Sequence, residues 1–423
     1  MVGKGIWRAA HPKLWKGIKR TALAVGAAQI AAVVAVHAVD RVRVARIPGG
    51  VHGFPALPPD DVQVDDDNVV RIYTEGHTLY DDMIDAIDTA TDYVYFDTYI
   101  IRADSVGQQF KDALYRAAKR GVDVHFIYDG FGVLNQDPRF KIFPKQENLH
   151  VRRIPTVRSG LMTFNLRNTG RDHRKILVAD GKVAFCGGYN IGERFANEWR
   201  DTHIRITGPT VAELDASFAR FWNHFRLPTQ PKIPDKGPVP WSNTIDTAIN
   251  VPYRMMYPIR GIYVDAMERA TKSIKITTAY FIPDREIMNG LLTAARRGVD
   301  VEVLIPEYSN HILADWVARP YYGKLLENGV KIWLYQHSMI HSKTMTVDGV
   351  WSTVGTANID RLSLQGNYEV NVQITSDAFA KQMEKIYDND LTTARQLTME
   401  EWSRRDVLTR VTEVLLSPFV VVV

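Results

Sequence analysis

Two histidines, His173 and His341, each open the same pattern, His-x-Lys-x4-Asp-x6-Gly. The first copy holds His173, Lys175, Asp180 and Gly187, and ends at Asn190. The second holds His341, Lys343, Asp348 and Gly355, and ends at Asn358. Every element recurs at an offset of 168 residues, and a carboxylate follows each histidine by 28: Asp201 and Glu369. These residue types suit phosphodiester exchange. A neutral imidazole attacks phosphorus and forms a covalent intermediate. A second, protonated imidazole gives the leaving alkoxide its proton, then takes one from the acceptor alcohol. The lysines Lys175 and Lys343 and the amides of Asn190 and Asn358 stabilise charge on the non-bridging oxygens. A carboxylate on the far ring nitrogen fixes each tautomer, the role assigned to Asp201 and Glu369. The chemistry requires no metal and no cofactor. No Cys or His pairs show metal-ligand spacing, so a metal cluster is disfavoured.

The spacing also implies local structure. Residues i and i+2 of a strand face one side, so His173 projects with Lys175 and His341 with Lys343. The apolar runs at 176–179 and 344–347 bury their strands. Asp180-Gly181 and Asp348-Gly349 are hairpin-turn signals. Asp180 and Asp348 complete the motif and join the candidate catalytic residues, although an Asp-Gly pair alone is just a turn. Small residues after each turn let a phosphate approach backbone N–H groups. A single His-x-Lys is most often a solvated strand edge; two complete copies with matched carboxylates are very hard to obtain by chance.

The elements that position these motifs repeat as well. A β-rich run at 93–100, a helical pattern at 109–120, Gly121 and a second β-rich run at 122–128 form the first set. The second set is 273–282, 287–297, Gly298 and 299–305. Glycine closing a helix before a β-branched run marks helix stop and strand start, and strand–helix–strand units favour parallel pairing. The fold class expected is α/β: two similar lobes, each a mixed sheet flanked by helices, with the active site at their interface. The boundaries expected are a basic tail (1–20), a candidate transmembrane helix (21–39), a linker (40–68), lobe 1 (69–227), a Pro-rich linker (228–250), lobe 2 (251–398) and a C-terminal tail (399–423). Lobe 1 carries about nine extra residues before its motif. Within 137–172, arginines flank Leu161, Met162 and Phe164, a pattern fit equally for a lipid interface or an ordinary loop.

The net charge of +4 is unevenly placed. Residues 1–46 hold nine Lys/Arg against Asp40 alone, a net of +8, which leaves −4 on the rest. That distribution suits an anionic membrane surface and counts against nucleic acid as a partner. Thr21–Val39 has no formal charge and as a helix spans roughly 28 Å, about one hydrocarbon core. It competes with a cleaved signal peptide and an interfacial anchor. The run at 415–423 is too short to span. The single cysteine, Cys186, excludes an intramolecular disulfide and reads as a small core residue.

The tandem motif resembles the phospholipase D superfamily, and the chain is similar to its bacterial cardiolipin synthases over roughly 69–398. Flanking residues share in this: Thr98-Tyr99-Ile100, the stretch Trp199 to His203, Tyr280 to Asp284 and Asn367 to Asn371. The resemblance implies a two-step phosphatidyl transfer. One histidine takes a phosphatidyl group from phosphatidylglycerol and releases glycerol; a second phosphatidylglycerol then attacks to give cardiolipin. It further implies His173 as nucleophile, His341 as acid and base, and a membrane location. A hydrolytic phospholipase D uses the same residues with water, and a nuclease of the superfamily is a more distant alternative. Three departures stand out. Gly188 and Thr356 occupy positions where the superfamily often has serine, Arg361 is shifted by one place, and the chain offers at most one N-terminal span where many relatives have two.

Overall fold

The structure, a computed structural model, describes residues 53–156, 170–239 and 241–418, together with Ala27, Ala31, Val34, Ala35 and Ala38. Those five are helical and exposed. The rest of the candidate anchor, the basic tail and the apolar–arginine stretch at 157–169 lie outside the described residues. Among the described residues no helix is long and apolar enough to cross a membrane.

The body is built from two eight-stranded mixed sheets. Lobe 1 comprises β1 (Asp60–Gln63), β2 (Val69–Tyr73), β3 (Tyr93–Thr98), β4 (Asp123–Asp129), β5 (Leu149–Ile154), β6 (Ile176–Ala179), β7 (Val183–Gly187) and β9 (His203–Thr207). Their order is β1-β2-β9-β7-β6-β3-β4-β5. Lobe 2 comprises β10 (Ile245–Asn250), β11 (Ser273–Thr278), β12 (Asp300–Pro306), β13 (Lys331–Tyr335), β15 (Lys343–Val347), β16 (Trp351–Gly355), β17 (Glu369–Thr375) and β18 (Ala394–Leu397). Their order is β10-β17-β16-β15-β11-β12-β13-β18. Seven strands correspond one to one, and the lobes differ only at the sheet edges, where β1 and β18 have no counterpart. Two short strands, β8 (Trp199–Arg200) and β14 (Met339–Ile340), pair across the lobes.

Equivalent residues build equivalent elements. Helix α2 (Ser105–Lys119) is capped by Asp104, which accepts from Gly107 N at 3.0 Å. Helix α5 (Arg285–Arg296) is capped by Asp284, which accepts from Glu286 N and Ile287 N. Each helix closes on a glycine in the left-handed region, Gly121 at φ 96° and Gly298 at φ 88°, where a Cβ would be strained. Parallel pairs β3–β4 and β11–β12 then follow. Helices α1 (Gly76–Thr89) and α3 (Val211–Phe225) complete lobe 1; α4 (Pro258–Arg269), α6 (Ile312–Glu327) and α7 (Asp377–Leu391) complete lobe 2. The central strands are buried on both faces, which is why 176–179 reads as an unbroken apolar run. One core spans both lobes: Ile176, Val178 and Ile204 pack in the same cluster as Val354, Val370 and Val372. Cys186 lies in that cluster, fully buried, and burial pushes its thiol up to about 12.

The sequence-based boundaries run short at three places. Strand β1 lies in the stretch read as linker 40–68 and pairs with β2; its Asp-rich composition masks it. Strand β10 lies in the Pro-rich 228–250 and forms the edge of sheet 2 against β17. Helix α8 (Val407–Leu416) lies in the supposed tail, docks on α6 and buries Leu416 with Ile312 and Val317.

Candidate active site

Each histidine precedes the strand that buries its motif, and each is held by the opposite lobe. His173 N–H donates to the Tyr368 carbonyl at 3.0 Å, and Asp172 bridges Tyr368 in parallel. His341 N–H donates to the Arg200 carbonyl at 2.6 Å, beside the β8–β14 pairing. Backbone pairing of this kind fixes which carboxylate each imidazole meets. Glu369 follows Tyr368, and its Oε2 lies 2.9 Å from His173 Nδ1. Asp201 follows Arg200, and its Oδ2 lies 2.6 Å from His341 Nδ1. The carboxylate 28 residues after each histidine therefore serves the histidine of the other lobe. The spacing in the sequence carries no information about which lobe a carboxylate faces, so the exchange becomes visible only in the structure.

The site is dry. His341, Lys175, Lys343, Asp201, Glu369, Asn190 and Asn358 are all buried, and the His173 side chain is 13% exposed. Lys175 Nζ donates to the His173 carbonyl at 2.8 Å; Lys343 Nζ lies 2.9 Å from His341 Nδ1 and also donates to the His341 carbonyl. The charges act on one another across the interface. Burial, then Lys175 and Lys343, hold His173 well below the usual imidazole range. Burial, then Lys343, pull His341 down to about 3. Burial lowers Lys343 to about 7 and Lys175 to about 8. Burial and the lysines thus disfavour the cationic imidazole at both positions, and an anionic phosphate in the site would oppose that pull. The carboxylates differ. Burial pushes Glu369 up to about 8 against the pull of Lys175, whereas Lys343 and His341 outweigh burial and keep Asp201 below its ordinary value.

The two departures from serine run against this difference, because a hydroxyl on a carboxylate lowers its pKa and only Glu369 has one. Thr356 Oγ1 donates to Glu369 Oε2 at 2.5 Å. At the equivalent position in lobe 1, a Cβ on Gly188 would lie 2.0 Å from Asp201 Oδ1, so any larger residue displaces the carboxylate. Asn190 Oδ1 accepts from Ile100 N at 3.2 Å, whereas Asn358 Oδ1 and Glu369 Oε1 are buried without partners. Buried polar atoms are ordinarily paired, so these two mark space for a polar ligand. Tyr99 packs edge-on against His173 at 4.9 Å, and Trp199 sits 4.8 Å from His341.

Asp180 and Asp348 are not brought to the histidines. Each stands at the far end of its strand, at φ 53° and 56°, followed by a glycine that is also in the left-handed region. Asp180 accepts from the N–H groups of Thr91, Asp92 and Tyr93 and from the Thr91 hydroxyl; Asp348 accepts from the same set at 271–273. Their shared function is to tie the hairpin to the start of the central strand. Asp180→Ala is expected to lower stability by about 2 kcal/mol, the scale of charge-assisted hydrogen bonds, while the folded fraction keeps its turnover. Urea unfolding alongside kcat measures both; loss of turnover at full stability would return Asp180 to the chemistry.

Two residues that the sequence did not single out support the site from behind. Arg200, fully buried, forms a two-pronged pair with Asp390 at 2.8 and 2.7 Å and reaches Ser342 Oγ at 3.2 Å. Arg174, also buried, donates to Asp172 at 3.0 Å and to Asp97 at 2.5 Å, and lies over the Phe221 ring. Both are chain neighbours of active-site residues, Arg174 between His173 and Lys175 and Arg200 before Asp201.

A family model described as cardiolipin synthase, phospholipase D-like domain, matches residues 83–222 and 263–391, one segment in each lobe. The chain belongs to this family. Cardiolipin synthase 2 of Staphylococcus epidermidis is 33% identical over 371 residues, covering 83% of this chain and 74% of that protein. The major cardiolipin synthase of Bacillus subtilis is 33% identical over 367 residues, covering 84% and 76%. Among solved structures, the phosphatidylserine synthase of Haemophilus influenzae superposes with a TM-score of 0.65 at 15% identity, covering 87% of this chain and 96% of that one, which establishes the shared two-lobe fold.

Proposed function

We propose that the protein is a cardiolipin synthase that joins two phosphatidylglycerol molecules, releasing glycerol, through a phosphohistidine at His173. The observation that carries the reading is the exchanged pairing of two imidazoles with two carboxylates at the lobe interface, His173 with Glu369 and His341 with Asp201. His173 Nε2 attacks phosphorus, the phosphorus–glycerol oxygen bond breaks, and His341 supplies the proton to that oxygen. The hydroxyl of a second phosphatidylglycerol then loses its proton to His341 and attacks phosphorus, which breaks the phosphorus–nitrogen bond and frees His173. The unequal carboxylates suit these roles. An imidazole that cycles through the cationic form is best backed by an ionised partner, Asp201, while the nucleophile must remain neutral. Lys175, Lys343, Asn190 and Asn358 bind the phosphoryl oxygens. Burial of the site favours transfer to an alcohol over transfer to water.

Phosphatidyl substrates place the enzyme at a membrane. The stripe of Val407, Leu408, Val411 and Val414 on α8, exposed on the described surface, and the basic, uncharged-core N-terminal segment both suit a lipid surface. Expression in cells lacking cardiolipin tests the reaction by lipid extraction. Wild type is expected to restore cardiolipin, and His173→Ala and His341→Ala to restore none. Phosphatidic acid without cardiolipin would make the protein a hydrolase.

The lysines give the reaction a pH signature. A cation whose folded pKa is depressed loses its charge as pH rises through that value. Binding of the anionic donor therefore weakens above about 7, where Lys343 loses its proton, and further above about 8 for Lys175. The profile of kcat/KM for phosphatidylglycerol is expected to fall on that alkaline side. A plateau extending to the range of ordinary lysines would rule out the depressed values.

A further inference from the structure

One cluster outside the active site has the composition of a metal site, and sequence spacing hid it. Asp123 and His125 stand at i and i+2 on β4, so they share a face, and His150 on β5 is the direct register partner of His125. The histidines are 25 residues apart in the chain but adjacent in the sheet. His125 Nε2 lies 3.0 Å from Asp123 Oδ2, and His150 Nε2 lies 3.3 Å from Asp123 Oδ1. The three side chains can offer one ligand atom each, all within 4.8 Å of one another. Tetrahedral zinc with bonds of about 2.0–2.1 Å holds its ligands about 3.3 Å apart, so the trio needs little movement to enclose an ion. His125 is buried and its Nδ1 has no partner, so the ring's polar contact is at the Asp123 edge.

Lobe 2 provides an internal comparison. At the same positions of β12 and β13 stand Asp300, Glu302 and Lys331, with Glu302 the register partner of Lys331. Lys331 Nζ lies 2.8 Å from Asp300 and 3.2 Å from Glu302, so lobe 2 contains its own cation between two carboxylates. Lobe 1 has exchanged the second carboxylate and the ammonium for two imidazoles. That donor set, two nitrogens and one carboxylate, matches borderline ions such as zinc and not the all-oxygen preference of magnesium or calcium. We propose that Asp123, His125 and His150 bind one divalent transition-metal ion, which pins the edge strand β5 to β4. The site lies at the opposite end of β4 from Asp129, which accepts from Asp172 N beside the catalytic motif, so it is separated from the chemistry by the length of that strand, about 20 Å.

Calorimetric titration of chelator-stripped, full-length protein with zinc chloride tests the proposal. Wild type is expected to take up one equivalent that magnesium and calcium do not displace, and to melt at higher temperature with zinc present. The His125→Glu/His150→Lys double variant rebuilds the lobe 2 triad; it is expected to keep transfer activity and lose that equivalent. His150→Gln alters only a half-exposed side chain and is expected to lose it too, which covers the case of a double variant that does not fold. His341→Ala, by contrast, removes an active-site imidazole and is expected to retain it. Absence of zinc uptake by wild type, or the same uptake by both lobe 1 variants, would reduce the trio to an ion-pair cluster.

Discussion

Glu369→Gln is expected to lower the turnover of phosphatidylglycerol by about 10⁴-fold, the scale on which a triad loses activity when its carboxylate becomes an amide and the imidazole adopts the wrong tautomer. Asp201→Asn is expected to cost a similar factor, but at a different step, and the difference tests the exchange between lobes. Glu369 faces His173, and Asp201 faces His341. A phosphatidyl donor with an activated phenol as leaving group needs no protonation of that group. It should therefore restore the first half-reaction in Asp201→Asn, where only the acid is impaired, and should not restore it in Glu369→Gln, where the nucleophile is impaired. Stopped-flow release of the phenol from each variant reads this directly. If the rescue appeared in Glu369→Gln while the burst of the histidine variants still assigned the nucleophile to His173, each carboxylate would be serving the histidine of its own lobe, and the cross-lobe geometry would be wrong.

The sequence carried much of this site, and the parts it missed share one cause. Local signals were sufficient wherever a contact runs between near neighbours. The glycine stops at Gly121 and Gly298 and the turns at Asp180-Gly181 and Asp348-Gly349 appear in the structure as residue type and spacing imply. The failures are contacts between strands distant in sequence. Periodicity gives the face of a side chain but not the strand that will lie beside it. Hence Arg200, within the Trp199 to His203 stretch, was given no role of its own, although it joins the lobes through Asp390 and Ser342. Hence also the metal-type trio, which needs the β4–β5 register to exist at all. Composition misled in a different way at β1 and β10: proline and aspartate mark breaks, yet an edge strand tolerates them because one side of its backbone needs no partner. Repeat symmetry was the strongest guide to the site. It located the two histidines, their lysines, asparagines and carboxylates, but left open which carboxylate faces which histidine.

Loss of either catalytic histidine is expected to abolish transfer from phosphatidylglycerol, on the order of 10⁶-fold, yet the two variants should fail differently. In His341→Ala the nucleophile, its carboxylate and both lysines remain. With an activated phenol donor, His173 can still attack, because the leaving group departs without a proton. The second step then stalls, since no group deprotonates the acceptor hydroxyl. One equivalent of phenol per active site should appear as a burst, and donor phosphate should remain on the protein in the acid-labile, base-stable linkage of a phosphohistidine. His173→Ala should give no burst and no labelled protein with the same donor, because an intact His341 has nothing to protonate and no intermediate to resolve. Burst size and labelled phosphate retained after denaturation are the two measurements. They decide the assignment that sequence symmetry left open. A burst from His173→Ala would move the nucleophile to lobe 2, where the lower carboxylate pKa at Asp201 would then have to be reconciled with an imidazole that must stay neutral to attack.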